Sequence, residues 1–391
     1  SLGRMTGKSP VGAFHFFGKS ISLSIGGWLN AIIPILIVPY YSVIGGWVIK
    51  YLVEYITGHG DLLAFDEYFT SFISDGVSTE ICFIIFALFT LLIIYAGVRN
   101  GIERVSRIMM PILVVLSVII AVYSITRPGA LAGVKYFLVP NVQNFSWMTV
   151  VAAMGQMFYS LSIAMGILIT FGSYMKKDIS IEDSTKNVEI FDTAIAIMAG
   201  LMIIPAVFAF SGGDPNTLKA GPSLMFITIP KVFESMGLGS AIGELFFVLV
   251  LFAAITSSIA LTESAVSTFE DELHWNRKKA TVIVGIIMIV LGSLSSLGYG
   301  PLASVTIIGM QFLDFFDFLT NSVMMPIAAI AISLLISRVV GVDKIEEEVL
   351  HGESRFRRKK VFVIMIKYLC PIFAVIILIS SVANAFGWIS M

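Results

Sequence analysis

Oxygen-bearing side chains interrupt several long apolar segments of this sequence. Asp192 opens the segment DTAIAIMAGLMIIPAVFAF, and Asp317 lies within FLDFFDFLTNS. Thr256 and Ser257 are adjacent in LFAAITSSIAL, and Glu263 follows in the same apolar run. An ionisable group inside a segment that crosses a membrane usually marks the path of an ion or a substrate.

These residue types favour sodium over a transition metal. Hard cations bind carboxylate, hydroxyl and main-chain carbonyl oxygens, which these segments offer without a cluster of His and Cys. The four histidines lie in or near loops, and Cys82 and Cys370 lie within apolar runs, so we expect neither a zinc site nor a disulfide. With no Ser-His-Asp order and no phosphate-binding glycine loop, the sequence predicts neither an enzyme nor an organic cofactor.

A structural interpretation of the same residues stays open. Ser and Thr side chains in membrane helices commonly bond to a carbonyl one turn earlier. Asp192, Glu263 and Asp317 can each be held by a structural partner inside a helical bundle.

Residues 156–174 read QMFYSLSIAMGILITFGSY, an apolar segment broken by Ser160, Ser162 and Gly166. Unpaired polar groups are costly at the middle of a membrane, so we expect these residues to have hydrogen-bond partners or a functional role. Transporters often unwind a helix at that depth, where the freed backbone groups hold substrate and ions. The segment is typical of such a break, although kinked helices with Ser and Gly occur in every class of membrane protein.

The composition indicates which kind of structural element positions these residues. The chain of 391 residues is 57% hydrophobic and 13% charged, whereas a soluble domain is about 25% charged. The mean hydropathy of +0.93 agrees with this imbalance. We expect a polytopic membrane protein in contact with the lipid bilayer. The net charge of −1 and the lack of a basic, aromatic-interleaved patch give no indication of a nucleic-acid partner.

Nine apolar runs are long enough to cross a bilayer as helices. Most of the 25 Lys and Arg residues lie in alternate connecting segments, beginning with residues 1–20. Because basic residues are enriched in cytoplasmic loops, this pattern predicts a cytoplasmic N-terminus and a C-terminus outside. The nine predicted spans are 21–51, 79–98, 105–126, 147–174, 190–211, 240–268, 279–297, 302–337 and 361–388.

Six segments occur in the order typical of one family of transporters, and together they extend over nearly the whole chain. The sequence resembles the neurotransmitter:sodium symporter family, particularly its bacterial amino-acid transporters. The matching segments are PYYSVIGGW (39–47), QMFYSLSIAMGILITFGSYMKKD (156–178), DTAIAIMAGLMIIPAVFAF (192–210), GPSLMFITIPKVF (221–233), AAITSSIALTESAVSTFEDEL (253–273) and FLDFFDFL (312–319).

The resemblance implies an all-α, inverted-repeat fold like that of bacterial leucine transporters, in a bacterial cytoplasmic membrane. Family folds contain two inverted repeats of five helices. Two leading helices of the family are missing from this sequence, and a first residue other than Met favours a fragment over a true truncation. The implied divisions are a cytoplasmic loop at 1–20, the three remaining helices of the first repeat at 21–126, an extracellular loop at 127–146, the second repeat at 147–338, a cytoplasmic loop at 339–360 and a final helix at 361–391.

The resemblance also implies a substrate site. Tyr41 matches the family tyrosine that binds the substrate carboxylate, and Tyr159 matches its aromatic lid, although Phe is usual there. Gly45 is a second departure, because relatives often carry an acid at that position. The implied substrate-binding residues are Ile37, Tyr40, Tyr41, Tyr159, Ser160, Ser162, Met165, Ser257 and Leu261.

Two sodium sites and two gates follow from the same resemblance. In the first site, the carboxylate of Asp192 would also replace the chloride ion that animal relatives need. The implied sodium ligands are Ser160 and Asp192 in the first site, and the Ala253 carbonyl, Thr256 and Ser257 in the second. The implied gate residues are Asp317 on the outer side, with Tyr174 and Asp271 on the inner side.

The sequence therefore predicts sodium-coupled uptake of an amino acid, with a hydrophobic or aromatic side chain favoured, by alternating access. A homodimer is a further prediction. Two other functions stay open, a non-transporting membrane scaffold or partner subunit and a cation channel. A channel would conduct without an amino acid, and a scaffold would neither conduct nor transport.

Overall fold

The computed structural model describes residues 1–218 and 221–388. Within these two ranges every regular element is a helix, apart from one isolated bridge between Ile307 and Met310. The main helices are α1 (Ile21–Ile56), α2 (Gly76–Tyr95), α3 (Val98–Ile125), α4 (Trp147–Ser160), α5 (Ile167–Ser173), α6 (Ile181–Ser211), α7 (Gly239–Leu273), α8 (Arg277–Leu297), α9 (Phe312–Val340), α10 (Val342–Leu350) and α11 (Lys359–Ala385).

Eight of these helices, all except α4, α5 and α10, are long and apolar enough to cross a membrane. The all-α membrane fold predicted from the sequence is thus confirmed. The predicted span 147–174 is divided into the shorter helices α4 and α5 by residues 161–166. Over the described ranges, the nine predicted spans correspond to eight continuous helices and one divided segment.

Three predicted spans were wrong at their starts, and one of them, predicted at 105, begins at Val98. The span predicted at 302 begins instead at Phe312, because Pro301 and the left-handed Gly309 (φ 78°) hold the preceding residues in turns. The span predicted at 190 begins at Ile181, where the Ser180 hydroxyl caps the helix by accepting a 2.9 Å hydrogen bond from the Asp183 N–H.

Three segments predicted as loops contain helices. Helix α10 lies within 339–360, and α11 starts at Lys359, slightly before the predicted final segment 361–391. The last three residues of that segment, 389–391, lie outside the described residues. The shorter helices are Leu2–Thr6 and Pro10–His15 within 1–20, Ala130–Leu138 and Val142–Asn144 within 127–146, and, elsewhere, Gly60–Ala64, Tyr68–Ser74, Pro215–Thr217, Leu224–Thr228 and Ile229–Glu234.

Helix α1 is the centre of the bundle and packs against α2, α7 and α8. Small residues permit this close packing, as is common between membrane helices. A Cβ atom added to Gly46 would lie only 2.6 Å from the backbone nitrogen of Phe83 on α2. Towards one end of α1, Trp47 and Tyr51 pack against the ring of Phe226.

The bundle has two polar ends, which we name by the chain segments that they hold. The N-terminal side holds residues 1–20, the α5–α6 connection, the α7–α8 turn and α10. The opposite side holds the described parts of the segments that follow α1, α3, α6 and α8.

Candidate functional site

The division between α4 and α5 is a sharp break in the backbone. Ser162 (φ 53°), Ala164 (φ 61°) and Gly166 (φ 72°) all adopt left-handed conformations. This region is unfavourable for residues other than glycine, and such strain tends to occur at functional sites. The break leaves backbone groups outside the regular helical hydrogen-bond pattern at the place where the sequence predicts it.

Gly166 is needed at the end of the break for a second reason besides its backbone angle. An added Cβ atom would lie 2.7 Å from the backbone oxygen of Asn30 and 2.7 Å from Pro10. The helix that follows is buried against α7, where the Thr170 hydroxyl lies 3.2 Å from that of Ser264 and 3.3 Å from that of Ser267. Packing on both sides therefore holds the break in place.

A cavity of about 420 Å³, which we call the central cavity, lies beside this break. It collects residues from α1, α4, α7 and the break itself. All the predicted substrate-binding residues except Tyr40 line it. They are Ile37, Tyr41, Tyr159, Ser160, Ser162, Met165, Ser257 and Leu261.

Five further residues line the central cavity. Four of them were not predicted from the sequence. Gln156 lies one turn before Ser160 on the same face of α4, so helical spacing was a signal that could have found it. Met110 comes from an apolar run of α3 that carries no such signal. The five are Met110, Gln156, Ile167, Ala260 and the predicted sodium ligand Thr256.

Ser160 and Asp192 are in direct contact. The Ser160 hydroxyl donates a 2.5 Å hydrogen bond to Asp192 Oδ1 and so joins the end of α4 to α6. Carboxylate and hydroxyl oxygens held together in this way are donors that a hard cation can use. Over the described residues, no three His, Cys, Asp or Glu side chains form a group that could hold a metal ion.

The other predicted sodium ligands lie together on one turn of α7. The Thr256 hydroxyl donates to the carbonyl of Ala253 at 3.0 Å and to that of Phe252 at 3.1 Å. These are the hydrogen bonds that the structural interpretation expects for a membrane threonine. Ser257 faces the central cavity, as Tyr41 does.

Tyr40, predicted to flank the substrate, points instead towards Asp317. Its hydroxyl donates a 3.2 Å hydrogen bond to Asp317 Oδ1, which also accepts a 2.6 Å bond from the Asn321 amide. Adjacent residues of a helix point in directions about 100° apart, and here Tyr41 faces the central cavity while Tyr40 faces Asp317.

Asp317 lines a second cavity of about 330 Å³. Gln156 and Tyr159 line both cavities, so one turn of α4 separates them. This arrangement places Tyr159 between Asp317 and the central cavity.

On the N-terminal side, Tyr174 contacts a buried ion pair. Its hydroxyl donates a 2.6 Å hydrogen bond to Glu263 Oε1, and both carboxylate oxygens of Glu263 accept hydrogen bonds from Arg277, at 2.5 and 3.1 Å. Glu263 is fully buried, which favours the structural interpretation of this carboxylate. Arg277 was missed, because nothing in the segment NRKK distinguishes it from its exposed neighbours.

Asp271, the other predicted inner-gate residue, lies on the same side. Its Oδ2 atom accepts a hydrogen bond from the backbone N–H of Ser9. The residues assigned to the two gates therefore occupy opposite ends of the bundle.

Comparisons with known proteins agree with this arrangement. Residues 67–387 match the model of the sodium:neurotransmitter symporter family. The uncharacterized sodium-dependent transporter YhdH of Bacillus subtilis is 33% identical over 356 residues, which cover 90% of this chain and 78% of that protein. An uncharacterized sodium-dependent transporter of Haemophilus influenzae is 30% identical over 374 residues, which cover 93% of this chain and 80% of the relative.

A solved structure gives the same result for the fold. The crystal structure of MhsT in complex with L-phenylalanine is similar with a TM-score of 0.84 and 34% sequence identity, covering 97% of this chain and 86% of that one. The resemblance inferred from the six sequence segments is thus confirmed, as is the inverted-repeat fold. The chain belongs to the sodium:neurotransmitter symporter family and is a multi-pass membrane transporter rather than an enzyme.

Proposed function

We propose that this chain carries out sodium-coupled symport of an amino acid with an apolar or aromatic side chain, by alternating access. The observation that carries the proposal is the central cavity, where a broken helix, paired oxygen donors and an apolar wall meet. The L-phenylalanine bound in the crystal structure of MhsT supports the substrate class.

The cavity lining fits a solute with one polar end and one apolar end. Tyr41 and Ser257 offer hydroxyl groups for a carboxylate, and the freed backbone groups of the break offer further donors and acceptors. Met110, Met165 and Leu261 provide an apolar surface. Methionine is flexible, so this surface can adapt to side chains of different shape.

We assign the coupling ions to the oxygen donors beside the cavity. The first sodium ion would bind Ser160 and Asp192, and its charge would balance the carboxylate. A second would bind on α7 at Ala253, Thr256 and Ser257. That second site requires the Thr256 hydroxyl to turn one lone pair towards the ion while its O–H still donates a hydrogen bond to a helix carbonyl.

Alternating access would open the cavity towards each end in turn. On the opposite side, Tyr159 would act as a lid beneath Asp317. On the N-terminal side, the hydrogen bonds of Tyr174 and Asp271 would help to keep the cavity closed. A ligand shifts such an equilibrium only through its different affinities for the two states, so sodium must favour the state open to the opposite side. The basic-residue pattern supports an N-terminal side that is cytoplasmic, in a bacterial inner membrane, and a homodimer stays a prediction.

Uptake into proteoliposomes tests the proposal. We expect an inward sodium gradient to drive accumulation of labelled L-phenylalanine, and an equal potassium gradient to drive none. Conductance without any amino acid would instead support the channel. If folded, monodisperse protein shows neither uptake nor conductance, both the transporter and the channel are contradicted. The scaffold function would then be left.

A further inference from the structure

Arg4 is a buried cation in a segment that the sequence assigns to a loop. It is only 4% exposed. Arginine is rarely buried without partners, because removing its charge from water is costly. Its surroundings therefore need to supply an acid and several acceptors.

The partners of Arg4 come from two distant segments. Nε donates a 2.6 Å hydrogen bond to Glu348 Oε1 on α10, and Nη2 donates a second to the backbone oxygen of the same residue. Nη1 donates to the carbonyl of Ile179 at 2.5 Å and approaches those of Lys177 and Lys176 at 3.3 and 3.4 Å. One guanidinium thus joins α10 to the connection that follows α5.

The acid at the centre of this arrangement has a second cationic partner. Glu348 Oε2 accepts a 2.7 Å hydrogen bond from Lys177 Nζ, so each carboxylate oxygen has its own cation. A few residues further on, Glu353 Oε1 accepts hydrogen bonds of 2.8 Å from the Ser180 hydroxyl and from the Glu182 N–H. The α10 segment therefore holds the α5–α6 connection at two places.

This attachment is coupled to the site through α5. That helix has about two turns, and it directly follows the break that supplies Ser162 and Met165 to the central cavity. On its inner face Thr170 contacts Ser267 of α7. If the cavity opens towards the N-terminal side by separation of α5 from α7, the connection held by Arg4 has to move as well.

We propose that Arg4, Glu348 and Lys177 form an ionic latch that keeps α5 against α7 and so holds the N-terminal side of the transporter closed. The latch rests on the proposed transport function, since it matters only if that side opens. Arginine suits the role because its planar fork presents five N–H donors to a carboxylate and several carbonyls, whereas a lysine ammonium has three. In this role Arg4 and Glu348 are positioning residues that touch neither substrate nor ion.

The test measures how often α5 leaves α7. In a background with Cys82→Ala and Cys370→Ala, the buried Ser267→Cys serves as a reporter for a membrane-impermeant thiol reagent in lipid nanodiscs. Glu348→Gln removes the charge and keeps the shape of the side chain. We expect it to raise the labelling rate at least about fivefold, the lower range of typical coupling between sites.

The matched control is Glu347→Gln, which removes the neighbouring exposed charge and is expected to leave the rate unchanged. If Glu348→Gln does not give monodisperse protein, Lys177→Gln replaces it. The Lys177 side chain is 54% exposed, and its loss leaves the Arg4 pair intact, so we expect a smaller rise. The latch is overturned if the folded Glu348→Gln protein, or the Lys177→Gln protein that replaces it, is labelled at the same rate as the control.

The readout also separates this proposal from the transport function. Labelling needs neither sodium nor amino acid. A faster labelling rate in a protein without sodium-driven uptake would contradict the proposed function alone. Normal uptake with unchanged labelling would contradict the latch alone.

Discussion

Ser160 at the end of α4 and Asp192 on α6 share a 2.5 Å hydrogen bond across the edge of the helix break. The two residues are 32 positions apart in the chain, and neither has another described side-chain bond. This pair is the most direct structural support for an ion site beside the central cavity. It also gives the first prediction.

Asp192→Asn should weaken sodium dependence while leaving the protein folded, because the amide keeps a hydrogen-bond acceptor for Ser160 but loses the charge. We expect the half-saturating sodium concentration for uptake to rise about tenfold, as for loss of one charge-assisted contact, or chloride dependence to appear. The measurement is a sodium titration of uptake with and without chloride. A sodium curve that matches that of the native chain both with and without chloride would remove Asp192 from the site.

Tyr41→Phe should weaken amino-acid binding by about ten- to a hundredfold, since a ligand carboxylate would lose a buried hydrogen-bond donor. Tyr40→Phe is the matched control, because that hydroxyl contacts Asp317 and does not line the cavity. Equilibrium binding of labelled L-phenylalanine to purified protein measures both. Equal losses in the two variants would show that the loss does not come from the cavity hydroxyl.

Gly166→Ala should destabilise the protein by about 2–4 kcal/mol, through left-handed strain and a clash with the backbone of Asn30. Gly155→Ala on α4 is the control, because an added Cβ atom there meets no neighbouring atom within 4 Å. Thermal unfolding in detergent compares the two midpoints. A midpoint for Gly166→Ala as high as that of the control would mean that the break can relax.

Arg277→Met should cost about 3–5 kcal/mol, because it leaves the buried Glu263 carboxylate with a single partner, Tyr174. The double variant Arg277→Met/Glu263→Gln should recover part of this loss, since no uncompensated charge stays buried. Unfolding midpoints of the two proteins provide the measurement. A double variant less stable than Arg277→Met would argue against a buried-charge penalty.

Acid should remove the stabilising contribution that the Glu348 carboxylate makes to the folded state. Burial alone would raise the pKa of Glu348, but hydrogen bonds from Lys177 and Arg4 outweigh it and lower the pKa below the ordinary carboxyl value. A carboxylate with a lowered pKa stabilises the folded state above its unfolded pKa and loses that effect as the pH falls through the folded value.

The thermal midpoint of the native chain should therefore exceed that of Glu348→Gln by a constant margin near neutral pH. The margin should shrink only below about pH 4.5, the ordinary carboxyl range. A margin that already falls between pH 8 and pH 6 would point to a different titrating group.

The spans and the break were predictable because hydropathy and small polar residues act locally. Ser160, Ser162 and Gly166 disturb an apolar run in a way that one sequence reveals, and the structure breaks the helix there. The relative direction of two side chains is local information too. The helical step places Tyr40 and Tyr41 about 100° apart, but only the contact with Asp317 shows which of the two faces away from the central cavity.

What could not be predicted depends on contacts between distant segments. Arg4 and Glu348 are 344 positions apart, and nothing in SLGRMTGKSP or VDKIEEEVL indicates that they meet. The late start of α9 at Phe312 has a similar origin. The apolar residues before it are held in turns, and Gly300 packs directly on the backbone of Ser74, so hydropathy alone overestimated the span.

The bend between α4 and α5 is set by packing at Gly166 and by left-handed residues that precede it, so it is a permanent part of the scaffold. Under the proposed function, an arriving solute would meet a helix that is already broken, so none of its binding free energy would be consumed in unwinding it. Binding of the solute at the break should consequently be fast and should not depend on the helix propensity of the surrounding sequence. We expect the slow steps of the cycle to be the opening and closing movements at the two ends of the bundle.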